Sequence, residues 1–499
     1  MVGIRFAHYT AAVLRRGLFV VVILSACLVA SATSVAAGPL RTGFVDPQIF
    51  RSGENAPFAA AANAGATTVR LYLNWRNIAP AAAPQPGFDP TNPFDLQYRQ
   101  TAWQNFDDEV KAAKANGLDP IVFISNAPDW AQGAGNGPSG TRRPSPAEFG
   151  AFARAAAIRY SGQEDDPQGT EKLPRVRFWQ AWNEPNRNYF LSPQGTPAKP
   201  IAPAWYRAML AHFALNVRGV QAERNLTPKN VVIAGGLAPF GRKGHLAPFT
   251  FMEKLLCMSA TRPARKVCNS RASFDVWSHH PYTCGGPTQQ AFARKDASLG
   301  DMPEMRAVLR AAAARGRIRA TQKVGLWVTE ISWDTKPADP KGVPNALHAR
   351  WVSEMLYRLW RLNVGSVTWF QLEDLPRATS AYQSGLHPVN GIANNRKKLS
   401  HTAFRFPFVA FVAGSKVRVW GRTPPEAPAQ TVIIERRTPS TGWRRVATTR
   451  SQSTGIFGRL ITMTRVGSLR ARITQPGAAA SVPFTLRRPN NPRICPFGS

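Results

Sequence analysis

Phe178-Trp179-Gln180-Ala181-Trp182-Asn183-Glu184-Pro185-Asn186 is an apolar run that ends on a carboxylate, and Leu326-Trp327-Val328-Thr329-Glu330-Ile331-Ser332-Trp333 repeats the plan later in the chain. Both are short and crowded with aromatic or β-branched residues, which reads as a buried strand. Working outward, comparable runs fall at 42–45, 68–73, 120–125, 176–181, 231–235, 274–278, 325–329 and 366–370. Ala-rich segments with a helical period lie between them, at 103–116, 146–160, 205–222, 303–315 and 346–362. Repeated βα units of this kind close most simply into a (β/α)8 TIM barrel, an α/β fold whose functional residues sit at the C-terminal ends of the strands. Both carboxylates stand at such ends, on the fourth and the seventh strand. The Pro/Gly-rich stretches 80–93, 133–146 and 192–203 read as loop insertions. They account for a barrel region longer than the roughly 250 residues usual for this fold.

Beyond residue 412 the helical period disappears. Short alternating runs at 416–421, 431–436, 443–448, 458–464, 469–474 and 481–486 are separated by turn residues. That spacing predicts a small all-β, immunoglobulin-like sandwich. The predicted plan is a signal peptide over 1–37, the barrel over 38–412, the sandwich over 413–488 and an irregular Pro-rich tail over 489–499.

The leader has Arg5, Arg15 and Arg16, then an apolar run from Gly17 to Leu24, then small residues up to Ala37. This is the pattern of a secretory signal. Leu24-Ser25-Ala26-Cys27 is similar to a lipoprotein box, and Arg15-Arg16 to a twin-arginine signal, but ordinary secretion accounts better for the whole segment. Export places Cys257, Cys268, Cys284 and Cys495 where disulfides persist. Cys257 and Cys268 are near enough in sequence to close a small loop; Cys284 with Cys495 would then tie barrel to tail. The net charge of +34 is spread along the 499 residues without a dense basic arm. That favours loose association with anionic surfaces such as cell-wall polymers over specific nucleic-acid recognition.

Hydrolysis of a glycosidic bond with retention needs two carboxyl groups facing each other across one sugar, one a proton donor and one a nucleophile. Asn183-Glu184-Pro185 and Glu330, each closing an aromatic-rich strand, suit that need. The bland alternative makes them solvated loop-start acids or partners of core arginines. On these motifs the chain resembles the glycoside hydrolases of clan A, retaining (β/α)8 enzymes that include families 5 and 39, over about residues 41–411. The resemblance implies Glu184 as acid/base and Glu330 as nucleophile. It also implies Arg70, in Val69-Arg70-Leu71, beside the nucleophile; His280 and Tyr282, in His280-Pro281-Tyr282, after the sixth strand; and Trp369 as the floor of the sugar subsite. Asn183 is expected to donate to the sugar 2-hydroxyl, and Trp75, Trp130 and Trp333 to offer faces for stacking. At the third strand Ser125-Asn126-Ala127-Pro128-Asp129-Trp130 lacks the His common in family 5 and is closer to family 39. Glu373 and Asp374, past the eighth strand, have no matching motif and read as rim residues.

No cofactor is implied by this chemistry, and no C-x-x-C or His-x-x-x-His spacing suggests a metal. The function that follows is a secreted retaining glycosidase acting by double displacement on a polysaccharide or glycoside. A non-catalytic glycan-binding or cell-surface protein on the same barrel stays open beside it.

Overall fold

The computed structural model describes residues 39–474, 479–487, 489 and 491–495. The expected signal peptide lies outside them. Eight parallel strands form a closed barrel: β1 Arg41–Phe44, β2 Thr68–Asn74, β3 Asp119–Ser125, β4 Phe178–Ala181, β5 Val231–Leu237, β6 Val276–His279, β7 Gly325–Ile331 and β8 Ser366–Trp369. Each neighbours the next in sequence, and β8 returns to β1 from Arg41↔Ser366 to Phe44↔Trp369. β5 is buried at every position and β3 at all but one, as strands with a covered face on either side must be. The outer layer includes the helices α1 Asn55–Asn63, α2 Gln100–Ala115, α3 Pro146–Arg159, α4 Ala202–Glu223, α5 Pro248–Leu255, α6 Met302–Ala314 and α7 Asn345–Arg361.

Strand alternation stacks the barrel interior in layers. Ile121, Phe178, Val231, Ile233, Val276 and Trp327 form an apolar cluster of their own, which plugs the floor. Two residues further along β4, β6 and β7 stand Gln180, Ser278 and Thr329, a polar layer tied by hydrogen bonds. The carboxylates come next.

Two irregularities aim side chains into that upper level. Between β7 and β8 the pairs are Val328↔Val367 and Ile331↔Trp369, so Thr329 and Glu330 together stand opposite Thr368 alone. A bulge of this kind lets two successive residues turn inward. Between β5 and β6 the pairs Gly235↔Ser278 and Leu237↔His279 leave Gly236 as the extra residue.

The sandwich follows. One sheet has the strands β9 Phe408–Ala413, β10 Lys416–Arg422 and β13 Ile456–Thr462; the other is built on β11 Thr431–Thr438, β12 Thr441–Arg450 and β14 Ser468–Ile473, with the short strands Ala479–Ala480 and Phe484–Thr485 paired to β14. Its first strand lies in the segment that sequence reading gave to the barrel. Phe408-Val409-Ala410-Phe411 has no alternation to mark it as half-exposed, because the barrel covers it. Phe411 and Trp420 pack their rings on Tyr357 of α7 at 5.5 and 5.3 Å. Buried Arg422 donates to Leu40 O at 3.1 Å and to Thr42 Oγ1 at 3.2 Å, joining sandwich to barrel.

Both expected disulfides are formed, Cys257–Cys268 and Cys284–Cys495. The second holds the tail on the barrel, where Asn491 accepts a bond from Trp351 Nε1 at 3.1 Å. Among the described residues no helix is long and apolar enough to cross a membrane.

Candidate active site

The chain turns sharply at the end of β4. Trp182 and Glu184 both take positive φ, +72° and +39°, a conformation that non-glycine residues adopt at a cost and that concentrates at functional sites. Two neighbours hold the turn in place. Glu184 N–H donates to Gly236 O at 3.1 Å, and Asn186, fully buried, exchanges hydrogen bonds with Ala238 and donates to Leu246 O.

Glu330 faces Glu184 from the bulge of β7. An oxygen of each carboxylate and a ring nitrogen of His280 all lie within 4.8 Å of one another. Arg70, 1% exposed, reaches three acceptors: Glu330 Oε2 at 3.2 Å, Asn183 Oδ1 at 2.7 Å and Gln180 Oε1 at 2.9 Å. Its guanidinium also lies 3.9 Å from the centre of the Phe123 ring. A buried cation needs such partners to offset its desolvation. Tyr282 donates its hydroxyl to Glu330 Oε1 at 2.8 Å. Both oxygens of Glu330 thus receive hydrogen bonds, one from a fixed positive charge.

Glu184 has different company. Burial pushes its carboxyl up to about 7, against the pull of Arg187 and Arg70. Arg187 Nε stands 3.7 Å from Oε2, beyond hydrogen-bond range. Oε1 meets His280 Nδ1 at 3.0 Å.

The direction of that last bond is assigned from the layer beneath. Arg70 donates to Gln180 Oε1, so the Gln180 amide nitrogen turns the other way, donating to Ser278 Oγ at 3.3 Å and toward Thr329 Oγ1 at 3.5 Å. A Thr329 hydroxyl that accepts there has its own proton free for His280 Nε2, 3.1 Å away, and the ring tautomer is assigned on that basis. Burial keeps the His280 ring neutral, pulling it down to about 3. With Nε2 accepting, the ring proton is on Nδ1 and is donated to Glu184 Oε1. The acid's own proton is left to Oε2. Gly236 makes room for this network: at φ +66°, a Cβ there would stand 2.6 Å from Gln180 Nε2 and 3.2 Å from His280 Nε2.

Glu184, His280 and Glu330 also form the one metal-compatible group among the described residues. The donors already on Glu330, above all the Arg70 cation, occupy the oxygens an ion would need, so the group does not fit one.

Arg70, Asn183, Glu184, His280, Tyr282 and Glu330 therefore converge. The tryptophans largely do not. Trp369 and Trp333, expected to stack on sugar, are core residues at 0% and 1% exposure. Trp369 donates to Ser384 O and packs against Trp333 and His348 under α7; Trp333 donates to Gly285 O. Trp75 is equally buried, stacked on Phe152. Trp130 alone of the four keeps part of its ring exposed, with Nε1 donating to Pro80 O. Glu373 and Asp374 are engaged in loop structure, accepting from Ile392 N and Gly385 N.

Sequence reading missed Gln180, Thr329, Gly236, Arg187 and Tyr382. Gln180 and Thr329 had a signal, being polar residues inside strands otherwise buried and apolar. Tyr382 had none: it comes from a distant loop, and both carboxylates add to the burial that raises its phenol.

No protein-family model and no curated protein matches the sequence. Solved structures do match in fold. A family 39 glycoside hydrolase from the gut symbiont Bacteroides cellulosilyticus WH2 is 16% identical, with a TM-score of 0.50, over 85% of this chain and 81% of that one. A family 30 subfamily 8 xylanase from Clostridium acetobutylicum is 12% identical, with a TM-score of 0.45, over 86% and 95%. A family 5 hydrolase from Streptomyces cattleya, in complex with GlcNAc, is 16% identical, with a TM-score of 0.45, over 74% and 79%. At such identities the likeness is one of fold, and the fold is the (β/α)8 barrel of the glycoside hydrolases that the sequence resembles.

Proposed function

We propose that the chain is a retaining glycoside hydrolase. The observation that carries this reading is the asymmetry of two neighbouring carboxyl groups, one held protonated by burial and the other clamped by Arg70 and Tyr282. One oxygen of each lies within 4.8 Å of one of the other, an approach compatible with the roughly 5–5.5 Å that separates the carboxyl groups of retaining enzymes.

Glu184 gives its Oε2 proton to the departing glycosidic oxygen while Glu330 attacks the anomeric carbon. The glycosyl-enzyme ester removes the charge of Glu330. Glu184, left ionised, is then stabilised by the Nδ1 proton of His280 and by Arg187. In the second step it takes a proton from water, which attacks the ester, and the configuration is retained. Asn183 accepts from Arg70 through Oδ1, so its Nδ2 is turned elsewhere and is available to the sugar 2-hydroxyl. Gln180, Thr329 and Gly236 act through these groups as positioning residues.

Secretion and attachment to anionic polymers complete the proposal. Two disulfides and the +34 charge support it. So does the outer face of β11, β12 and β14, where Arg437 and Arg470 flank Trp443.

Activated 2-deoxy-2-fluoro glycosides test the enzyme reading. The expected result is a stable mass increase that peptide mapping places on Glu330. Folded protein left unlabelled by a broad sugar panel, yet retained on a glycan array, would instead identify a binding protein on a glycosidase barrel.

A further inference from the structure

Beside β2 lies a 390 Å³ cavity, within the range of roughly 300–1,000 Å³ usual for small-molecule sites. It adjoins a seam in the barrel. β1 pairs with β2 only at Gly43↔Thr68 and Phe44↔Val69, whereas β2 pairs with β3 from Thr68 to Asn74. The 70–74 edge of β2 therefore faces no strand on the β1 side.

The lining includes Arg51, Arg70, Tyr72, Asn77, Asn105 and Glu109. Arg51 and Asn105 stand exposed at its rim and Asn77 is half-buried, whereas Glu109 is buried inside it and makes no side-chain hydrogen bond or ion pair among the described residues. Glu109 matters most. It is 7% exposed, and burial pushes its carboxyl up to about 8, with only the charge of Arg51 opposing. Buried polar groups are ordinarily partnered, and one that is not calls for an explanation such as a bound ligand. The active site is directly adjacent, because Arg70 both lines the cavity and bonds Glu330 and Asn183.

We propose that this cavity is a second sugar subsite, holding one neutral, hydroxyl-rich unit of the substrate beside the unit that sits between the carboxylates. The proposal rests on the glycosidase reading above. Amides, a protonated carboxyl and a guanidinium present the mixture of donors and acceptors that ring hydroxyls use. A neutral unit also lets Glu109 keep its proton. The cavity lies on the β1–β2 side, away from Glu184 and Arg187 at the end of β4, where the leaving group takes its proton. Its occupant therefore belongs to the part of the substrate that stays on Glu330 in the first step, and the substrate has at least two sugar units ahead of the cleaved bond.

Kinetics on matched 4-nitrophenyl monoglycosides and biosides of glucose, mannose, galactose and xylose test this, together with fluoro-sugar labelling of Glu330. For the accepted sugar, the wild type is expected to favour the bioside in kcat/KM by on the order of tenfold or more, the scale of one or two new hydrogen bonds. Glu109→Leu, which keeps the bulk but removes donor and acceptor, and Asn105→Trp, which fills the mouth from an exposed helix position, should both bring that ratio toward one. Thermal unfolding confirms that each variant is folded. A bioside ratio near one in the wild type, or one unchanged in both variants, overturns the subsite while labelling of Glu330 keeps the enzyme. Absence of both label and turnover removes the enzyme reading and the subsite with it.

Discussion

Glu184 and Glu330 stand at corresponding ends of β4 and β7, yet the two strand ends treat the same side chain in opposite ways. At β7 the carboxylate meets a guanidinium and a phenol, each within hydrogen-bond reach. At β4 it meets a neutral imidazole and one arginine held off at 3.7 Å, and desolvation prevails. Charge alone does not separate them, since Arg70 raises the charged fraction of Glu184 as well. The number and direction of hydrogen bonds make the difference. Two identical groups acquire different environments from their neighbours, which is what the proposed division of tasks requires.

The comparison breaks most completely at Glu330. Glu330→Gln keeps the shape and removes the proposed nucleophile; turnover of an aryl glycoside should fall by about 10⁴-fold or more in protein that still unfolds cooperatively, at a temperature lowered by the loss of the buried Arg70 ion pair. Glu184→Ala should divide substrates by leaving group. Poor leaving groups lose about 10²- to 10⁴-fold, dinitrophenyl glycosides much less, and added azide restores part of the rate by filling the space of the lost base. Equal losses on both classes would deny Glu184 the role of acid.

Smaller changes sharpen the contrast. Gly236→Ala drives a methyl into the Gln180 amide and the His280 ring, and should lower kcat by about 10- to 100-fold through misplacement of Glu184. Thr329→Val removes the proton that Nε2 of His280 accepts; a loss of about tenfold is expected. Nitrogen-15 NMR of the His280 ring should then show its proton moving away from Nδ1. A ring already protonated at Nε2 in the wild type would reverse the assigned direction of the network.

The mildest effect is on pH. With Glu184 near 7 in the fold and near 4.5 when unfolded, the folded state keeps a proton that the unfolded chain releases between those values. Its stabilising share is whole below about pH 4.5 and is lost as pH rises through about 7, on the order of 3 kcal/mol in all. Two slopes follow. The kcat/KM of the wild type should decline above pH 7, and the unfolding temperature of Glu184→Gln should gain a few degrees on the wild type between pH 5 and pH 8.

The barrel was legible because eight buried runs at regular intervals leave few other closures, and the carboxylates because Asn183-Glu184-Pro185 and Glu330 each end such a run. The tryptophans were not. A sequence shows that Trp333 and Trp369 are aromatic and near a strand end, but the helix that covers them, α7, is what removes their faces from the cleft. The bulges at Gly236 and Glu330 were equally hidden, since pairing between strands far apart in sequence decides them. Gln180 was in plain view within the decisive motif, yet its importance comes from Arg70, on another strand.

The Cys284–Cys495 bond spans 211 residues and closes two positions beyond Tyr282, the hydroxyl donor to Glu330. During synthesis the barrel strands emerge first and the sandwich after them, so the segment carrying Tyr282 remains untethered until the chain has been made through Cys495 and the two thiols are oxidised. The brace beside the phenol is thereby among the last parts of the chain to be laid down. A nascent or reduced chain has both carboxylates but lacks the tether two residues from the phenol donor, so the same bond that holds the tail also braces the loop beside Glu330.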